Sequence, residues 1–185
     1  MPDQVRHDGT FGVPLNQNSR VRYLLWIGLV TLAVSIFFPI DTLELTNKRT
    51  GQVILRWIVS TDDQVVYRYI HSVEKTPVEA QFSIEDNQSI RLTETRFPSY
   101  GAGLPNAVGE KTHTSGWITL SSSQKMESFS TYFSSINHPS VVIHNRKWEI
   151  ESLFKDGDIL ALTVKTRPLW MISPSVLSNR TVPNQ

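Results

Sequence analysis

An uncharged apolar run near the amino terminus constrains this chain more than any other feature. Residues 23–40, YLLWIGLVTLAVSIFFPI, contain no charged side chain. As an α-helix rising about 1.5 Å per residue, the run would extend roughly 27 Å, close to the thickness of the hydrocarbon core of a bilayer. No polar face interrupts it, which argues against a helix buried in a soluble core. The run therefore predicts one transmembrane helix.

The charges on either side of the run predict its orientation. Arg20 and Arg22 come directly before it, and Asp41 and Glu44 follow it. Because basic flanks stay in the cytoplasm, we expect a single-pass protein with its amino terminus inside and the bulk of the chain outside. A cleaved signal peptide is the alternative, with cleavage near residues 33–35. That cut would leave the apolar IFFPI as a new amino terminus, so an uncleaved signal anchor is favoured.

We divide the chain into four segments by composition. Gly, Pro, Asn and Gln are scattered through the beginning of the chain, as in short disordered tails. The predicted segments are a disordered cytoplasmic tail at residues 1–19, the transmembrane signal anchor at 20–40, an extracytoplasmic β-domain at 41–167 and a carboxy-terminal tail at 168–185.

The segment after Asp41 has the pattern of a β-protein. Residues 42–60, TLELTNKRTGQVILRWIVS, predict a hairpin around a polar turn. Further strands are predicted at VVYRYIHSV, VEAQFSI, SIRLTETRF, GWITL, SVVIH, KWEIES and ILALTVKTR. The segment KMESFSTYFSSI fits either an irregular strand or one short helix. About eight or nine short strands predict an all-β fold, a single antiparallel sandwich or barrel-like domain after the helix.

Composition excludes several functional classes. The formal net charge is +1, so no broad basic face for nucleic acid is expected. Cysteine is absent, which excludes disulfides, thiolate metal sites and cysteine nucleophiles. Neither a P-loop nor zinc-finger spacing is present. We expect no cofactor and no bound metal.

The stretch YIHSVEKTPVEAQF, residues 69–82, predicts a hairpin with the four-residue loop EKTP. Pairing Val73 with Val78 would place His71 opposite Ala80 and turn it toward the core. This register would place Ser72 opposite Glu79. The other face, with Arg68 and Ser72 against Glu79, Gln81 and Ser83, would be wet.

A third strand extends this prediction. If Ile84 pairs with Ile90, Glu94 also lies opposite Ala80, on the same face as His71. A carboxylate on an apolar face needs a partner, because burying it alone costs several kcal/mol. We therefore expect a hydrogen bond between His71 and Glu94.

Three interpretations of His71 remain open from the residues alone. It could be a core histidine that orders the loop, a ligand-contacting or proton-sensing group, or a metal ligand or catalyst. One histidine with carboxylates is a poor metal set, since zinc sites use three or four ligands. Ser72 adjoins His71 but would point to the opposite face, so no nucleophile–His–acid set is predicted and we do not expect an enzyme.

The second notable stretch is FPSYGAGLPN, residues 97–106. Its glycines permit positive φ, and successive backbone N–H groups could form an anion-binding nest. A tight crossover between strands is the alternative. As a dinucleotide fingerprint it fails, since the third glycine is missing and no helix is predicted to follow. The candidate residues are Ser99, Tyr100, Gly101, Gly103 and Pro105.

The motifs YIHSVEKTPVE and LTETRFPSYGAGLP resemble domain-of-unknown-function family 1850. WEIESLFKDGDILALTV is similar to the ending of that family, so the resemblance extends over about residues 41–167. This chain departs from the family pattern in its longer amino-terminal tail and its Ser-rich middle. The motif positions implied as a binding surface are His71, Ser72, Glu74, Thr76, Pro77, Glu79, Glu94, Ser99, Tyr100, Gly101, Gly103 and Pro105.

The resemblance also implies a cellular context. Members are small bacterial proteins with an amino-terminal hydrophobic segment, typically encoded beside TAXI-type TRAP transporters, and the family has no established activity. We therefore expect an accessory protein of the inner membrane with a periplasmic β-domain, which contacts a TRAP permease or its substrate-binding protein during import of organic acids. A periplasmic domain that binds or senses a small anion is the alternative.

Overall fold

The computed structural model describes residues 17–98, 111–114 and 116–172 of the chain. The chain divides into two compact units, which part between Phe38 and Pro39. The first contains one helix, and the second contains the strands. Five of the predicted site residues lie outside the described residues, namely Ser99, Tyr100, Gly101, Gly103 and Pro105.

Helix α1 comprises Gln17–Phe37 and begins earlier than the predicted start at residue 20. Side chains from Arg20 onward are exposed along its whole length. The Thr31 and Ser35 hydroxyls each donate a 2.8 Å hydrogen bond to the carbonyl four residues earlier, so these polar groups are satisfied within the helix. The helix is long and apolar enough to cross a membrane, a property that signal sequences share.

The described part of the second unit contains eleven strands in two antiparallel sheets. The strands are β1 Pro39–Asn47, β2 Gln52–Ile58, β3 Gln64–Ile70, β4 Pro77–Glu85, β5 Ser89–Phe97, β6 Lys111–Thr114, β7 Trp117–Met126, β8 Ser128–Tyr132, β9 Ser140–Ile143, β10 Arg146–Glu149 and β11 Ile159–Pro168. The small sheet has the order β2-β1-β11-β8, and the large sheet has the order β10-β9-β3-β4-β5-β7-β6. Short 3-10 turns cover Ser135–Asn137, Glu151–Leu153 and Leu169–Met171.

Both sheets contribute to one hydrophobic core, so the domain is a sandwich. Leu43 of the small sheet and Phe82 of the large sheet belong to the same buried cluster. Phe129 of β8 joins the sheets, with its ring centroid 4.9 Å from that of Phe82 and 5.3 Å from that of Tyr67. The predicted all-β fold after one amino-terminal apolar helix is confirmed.

The local predictions hold where a turn or an alternating pattern determines the strand. The first predicted hairpin is β1–β2, and Gly51 in its turn has a φ of 71° that favours glycine. The ambiguous segment KMESFSTYFSSI contains strand β8 and then a 3-10 turn. Strand β6, Lys111–Thr114, was not predicted.

The β3–β4 hairpin has a different register from the predicted one. Val78 lies opposite Tyr69, four residues from the predicted partner Val73. An even shift keeps the same side chains on the same face, so the tyrosines of β3 still point inward with Val78. It also ends β3 at Ile70, which leaves His71 in the loop. The predicted inward position of His71, opposite Ala80, is wrong.

A bulge in β5 overturns the predicted position of Glu94. Ile84 pairs with Ile90 as predicted, but the register shifts by one residue after Phe82. Thr93 is the extra residue, and its Oγ1 donates a 3.1 Å hydrogen bond to the Gln81 carbonyl. Glu94 therefore lies opposite Gln81 and faces outward. The predicted His71–Glu94 hydrogen bond is wrong. The bulge turns the Glu94 carboxylate to the outer face, where it does not have to be buried without a partner.

Candidate functional site

The loop after β3 is closed by His71. Its backbone N–H donates to the Thr76 carbonyl at 2.8 Å, and its carbonyl accepts from the Lys75 N–H at 2.9 Å. Its ring atom Nδ1 accepts a 3.2 Å hydrogen bond from the Glu74 N–H, which requires that Nδ1 carry no proton. Lys75 has a φ of 55°, in the left-handed region. His71 is therefore bonded within the loop through its backbone and its ring, and it is half-buried there rather than part of the core.

The other motif residues of this hairpin have different environments. Ser72 and Glu74 are exposed in the loop, whereas Thr76 is half-buried and its Oγ1 has no hydrogen-bond partner. Pro77 begins β4 and is exposed, and Glu79 is half-buried on the outer face of the large sheet. The motif thus provides a loop and one charged strand residue.

A row of polar and charged side chains crosses the outer face of the large sheet beside this loop. The register places Glu149, Ser140, Arg68, Glu79 and Arg96 side by side on five neighbouring strands from β10 to β5. Glu79 lies between two cations, with its Oε1 2.9 Å from Arg68 Nε and its Oε2 3.8 Å from Arg96 Nη1. Arg96 also lies over the ring of Trp117, 5.4 Å from its centroid.

One end of this row opens into a groove of about 400 Å3. The strands β3, β4, β9 and β10 and two 3-10 turns form its walls. The lining residues are Arg68, Tyr69, Ile70, Pro77, Glu79, His138, Ser140, Lys147, Glu149 and Glu151. The Tyr69 side chain packs against the core, and its burial raises the pKa of the hydroxyl.

The charges of the groove pair with one another. Lys147 Nζ lies 2.6 Å from Glu149 Oε1, and His138 Nδ1 lies 3.0 Å from Glu151 Oε2. The Arg68–Glu79 pair differs from these two. Arg68 Nε is buried and lies within ion-pair distance of Glu79, but the two groups do not form a hydrogen bond. The ion pairs other than Arg68–Glu79 are half-exposed, and such pairs exchange partners at little cost.

The polar groups of the groove are ion pairs and one buried serine. Within the described ranges no group of three or more His, Asp or Glu residues is arranged to hold a metal ion. Ser140 is 1% exposed and lies in the groove between Glu149 and Arg68. The groove presents alternating charges to whatever it contacts.

Sequence reasoning found part of this surface. A wet face carrying Arg68 and Glu79 was predicted and is observed. The predicted partner of Glu79 was Ser72, and the four-residue shift in register puts Arg68 in that place. The contributions of His138, Lys147 and Glu149 were missed, because β9 joins β3 across 70 residues of chain and no local pattern indicates that pairing.

A second charged cluster lies on the outer face of the small sheet. Glu44 is 3% exposed and accepts hydrogen bonds from Arg56 Nε at 2.8 Å and from Arg167 Nε at 3.0 Å. Burial opposes ionisation of Glu44, but the hydrogen bonds from Arg167 and Arg56 outweigh it and lower the pKa of the carboxyl. This cluster joins β1, β2 and β11 and is a structural element of the sheet.

Comparison with known proteins gives one match. Neither a curated protein nor a solved structure matches this chain. A family model described as Domain of unknown function (DUF1850) matches residues 65–150, a range that includes β3, the His71 loop and most of the groove. Over residues 65–150 this chain therefore resembles the family known as Domain of unknown function (DUF1850), as its motifs predicted.

Proposed function

We propose that this chain is a membrane-anchored accessory module without catalytic activity, whose β-domain binds a partner protein through the groove between β3 and β10. The observation that carries the proposal is the groove itself, a concave surface of paired, half-exposed charges inside the region that the family model matches. Helix α1 would hold the module in the membrane.

The pairing of the charges favours a protein partner over a small molecule. Three glutamates line the groove against Arg68, Lys147 and the histidine His138. A partner surface with complementary alternating charges can replace these ion pairs with its own, which gives specificity and rapid association. A small anion would have to displace carboxylates that already occupy the cations.

The finer proposal concerns compartment and partner. The resemblance implies an inner-membrane protein with its β-domain in the periplasm, associated with a TAXI-type TRAP transporter. Arg20 and Arg22, which come before the apolar run in the first turns of α1, support that orientation. The partner would be the permease or its substrate-binding protein.

Co-purification of the tagged full-length chain from crosslinked native membranes tests this function. We expect transporter subunits to be recovered with the wild-type chain, and at least tenfold less with Lys147→Glu, which reverses a charge in the groove. Lys125→Glu is the matched control, because Lys125 is an exposed lysine on β7 of the same sheet and does not line the groove. Equal recovery with Lys147→Glu would place the contact elsewhere. Repeated isolation of the chain alone in gentle detergent would refute the accessory role.

One observation favours a small-anion sensor as the second candidate. The Arg68 side chain is 43% exposed and lines the groove together with Lys147, so two cations border the same concave surface. Thermal-shift and calorimetric titrations with acetate, succinate and phosphate would detect binding. Saturable binding that Arg68→Lys abolishes supports this alternative, and its absence up to millimolar concentrations removes it.

A further inference from the structure

An exposed apolar tripeptide, Leu169–Met171, follows the last described strand of the sandwich. Leu169 is 41%, Trp170 54% and Met171 39% exposed. The three residues form a 3-10 turn directly after β11. Exposed apolar side chains that lie next to one another often mark a site of contact with a protein or a membrane, whereas isolated ones do not.

The turn is held in place by the domain. The Ile172 N–H donates a 3.0 Å hydrogen bond to the Leu169 carbonyl, and the Ile172 side chain is only 8% exposed. Arg56 Nη1 donates a 3.3 Å hydrogen bond to the Met171 carbonyl. The tripeptide is therefore presented by an anchored turn.

The register of β1 and β11 determines which edge of the sandwich carries this turn. Pro168, the residue before Leu169, is the partner of Pro39, the first residue of β1. Helix α1 ends at Phe37, so only Phe38 separates it from β1. The end of the apolar run and the residue that precedes the turn are therefore linked through Pro39, the first by the chain and the second by strand pairing.

The side chains at this edge match the chemistry of a membrane surface. Tryptophan is enriched where the hydrocarbon meets the headgroups, and Leu and Met favour the acyl side of that boundary. Lys165 is exposed near the same end of β11, and a cation there is attracted to anionic headgroups.

We propose that Leu169, Trp170 and Met171 insert into the interfacial layer of the bilayer that α1 crosses, giving the β-domain a second membrane contact. This inference rests on the proposed anchoring by α1. The contact would orient the sandwich on the membrane with its Pro39–Pro168 edge toward the lipid. In this proposal the apolar turn contacts lipid. The experiment below also detects the alternative, in which the turn contacts a protein.

Single cysteines test the proposal cleanly, because the chain has none of its own. Spin labels are placed at Leu169→Cys, which keeps Trp170, and separately at Trp170→Cys. Tyr132→Cys is the matched aromatic control, since Tyr132 is 74% exposed and pairs with Ile159, the first residue of β11. The nine residues from there to Pro168 place it roughly 30 Å along the strand from the proposed contact. Leu29→Cys reports whether α1 is in lipid.

The full-length variants are reconstituted into vesicles of phosphatidylcholine with a minor fraction of phosphatidylglycerol. We expect collisions with lipid-dissolved oxygen to be several-fold more frequent at positions 29, 169 and 170 than at 132, where a water-soluble nickel chelate should dominate. Aqueous labels at 169 and 170 with a lipid-embedded label at 29 overturn the inference and leave the anchor intact. An aqueous label at 29 overturns the anchor as well. Labels at 169 and 170 that are shielded from both reagents indicate a protein contact and also overturn the inference.

Discussion

Arg167 Nε donates a 3.0 Å hydrogen bond to Oε1 of Glu44, although the two residues lie 123 positions apart in the chain. The bond joins β11 to β1, and Arg56 of β2 donates to the same oxygen. A buried carboxylate is tolerated here because two guanidinium groups compensate its lost hydration. Glu44 therefore links three of the four strands of the small sheet through its two arginine partners.

The first prediction concerns this carboxylate. Glu44→Gln removes the charge that both arginines require, and we expect the free energy of unfolding to fall by about 2 kcal/mol. Urea unfolding of the full-length chain in detergent, followed by tryptophan fluorescence, measures the change. Glu85→Gln is the control, because the Glu85–Arg91 pair is a surface ion pair and its loss should change stability little. Equal effects of the two variants would contradict the structural role of Glu44.

The second prediction is the pH dependence that follows from the lowered pKa of Glu44. A carboxyl whose pKa is lower in the folded than in the unfolded state binds fewer protons when folded. Its contribution is complete above the ordinary glutamate pKa of about 4.3 and is lost as the pH falls through the lower folded value. We expect wild type to lose stability in that acidic window and Glu44→Gln to lose less. Parallel melting-temperature profiles from pH 7 to pH 3 would contradict this.

The third prediction separates a loop-ordering role of His71 from a chemical one. In His71→Asn the side-chain oxygen can accept the Glu74 N–H in place of Nδ1, whereas His71→Ala leaves that donor without its side-chain partner. We expect His71→Ala to cost about 1 kcal/mol of unfolding free energy and His71→Asn to recover most of it. Amide hydrogen exchange at Glu74 and Lys75 should rise only in His71→Ala. If both variants exchange alike, the ring does not order the loop.

The fourth prediction concerns the aromatic contact between the sheets. Phe129→Ala removes the ring that packs on Tyr67 and Phe82, and we expect a loss of about 3 kcal/mol. Tyr132→Ala, in the same strand but 74% exposed, should stay within about 0.5 kcal/mol of wild type. Thermal melts of both variants measure the difference. A small effect of Phe129→Ala would mean that the two sheets are held together elsewhere.

The predictions from sequence succeeded where neighbours along the chain decide the structure. The β1–β2 hairpin follows from alternation and a glycine turn, and the pairing of Ile84 with Ile90 follows from a short turn. The β3–β4 register was off by four residues, because a six-residue loop closed by His71 competes with the shorter loop in the same sequence. The inward face survived that error, since an even shift preserves it.

The sequence by itself determined the apolar helix, the all-β character of the rest, the inward face of the β3–β4 hairpin and the resemblance over residues 65–150. These properties depend on composition, period and motif, which are local. Only the tertiary structure decided that a bulge at Thr93 turns Glu94 outward, that Arg167 reaches Glu44, and that β9 and β10 complete the groove. Each of these depends on pairing between distant strands, where the burial of charge and the packing of two sheets outweigh any local preference.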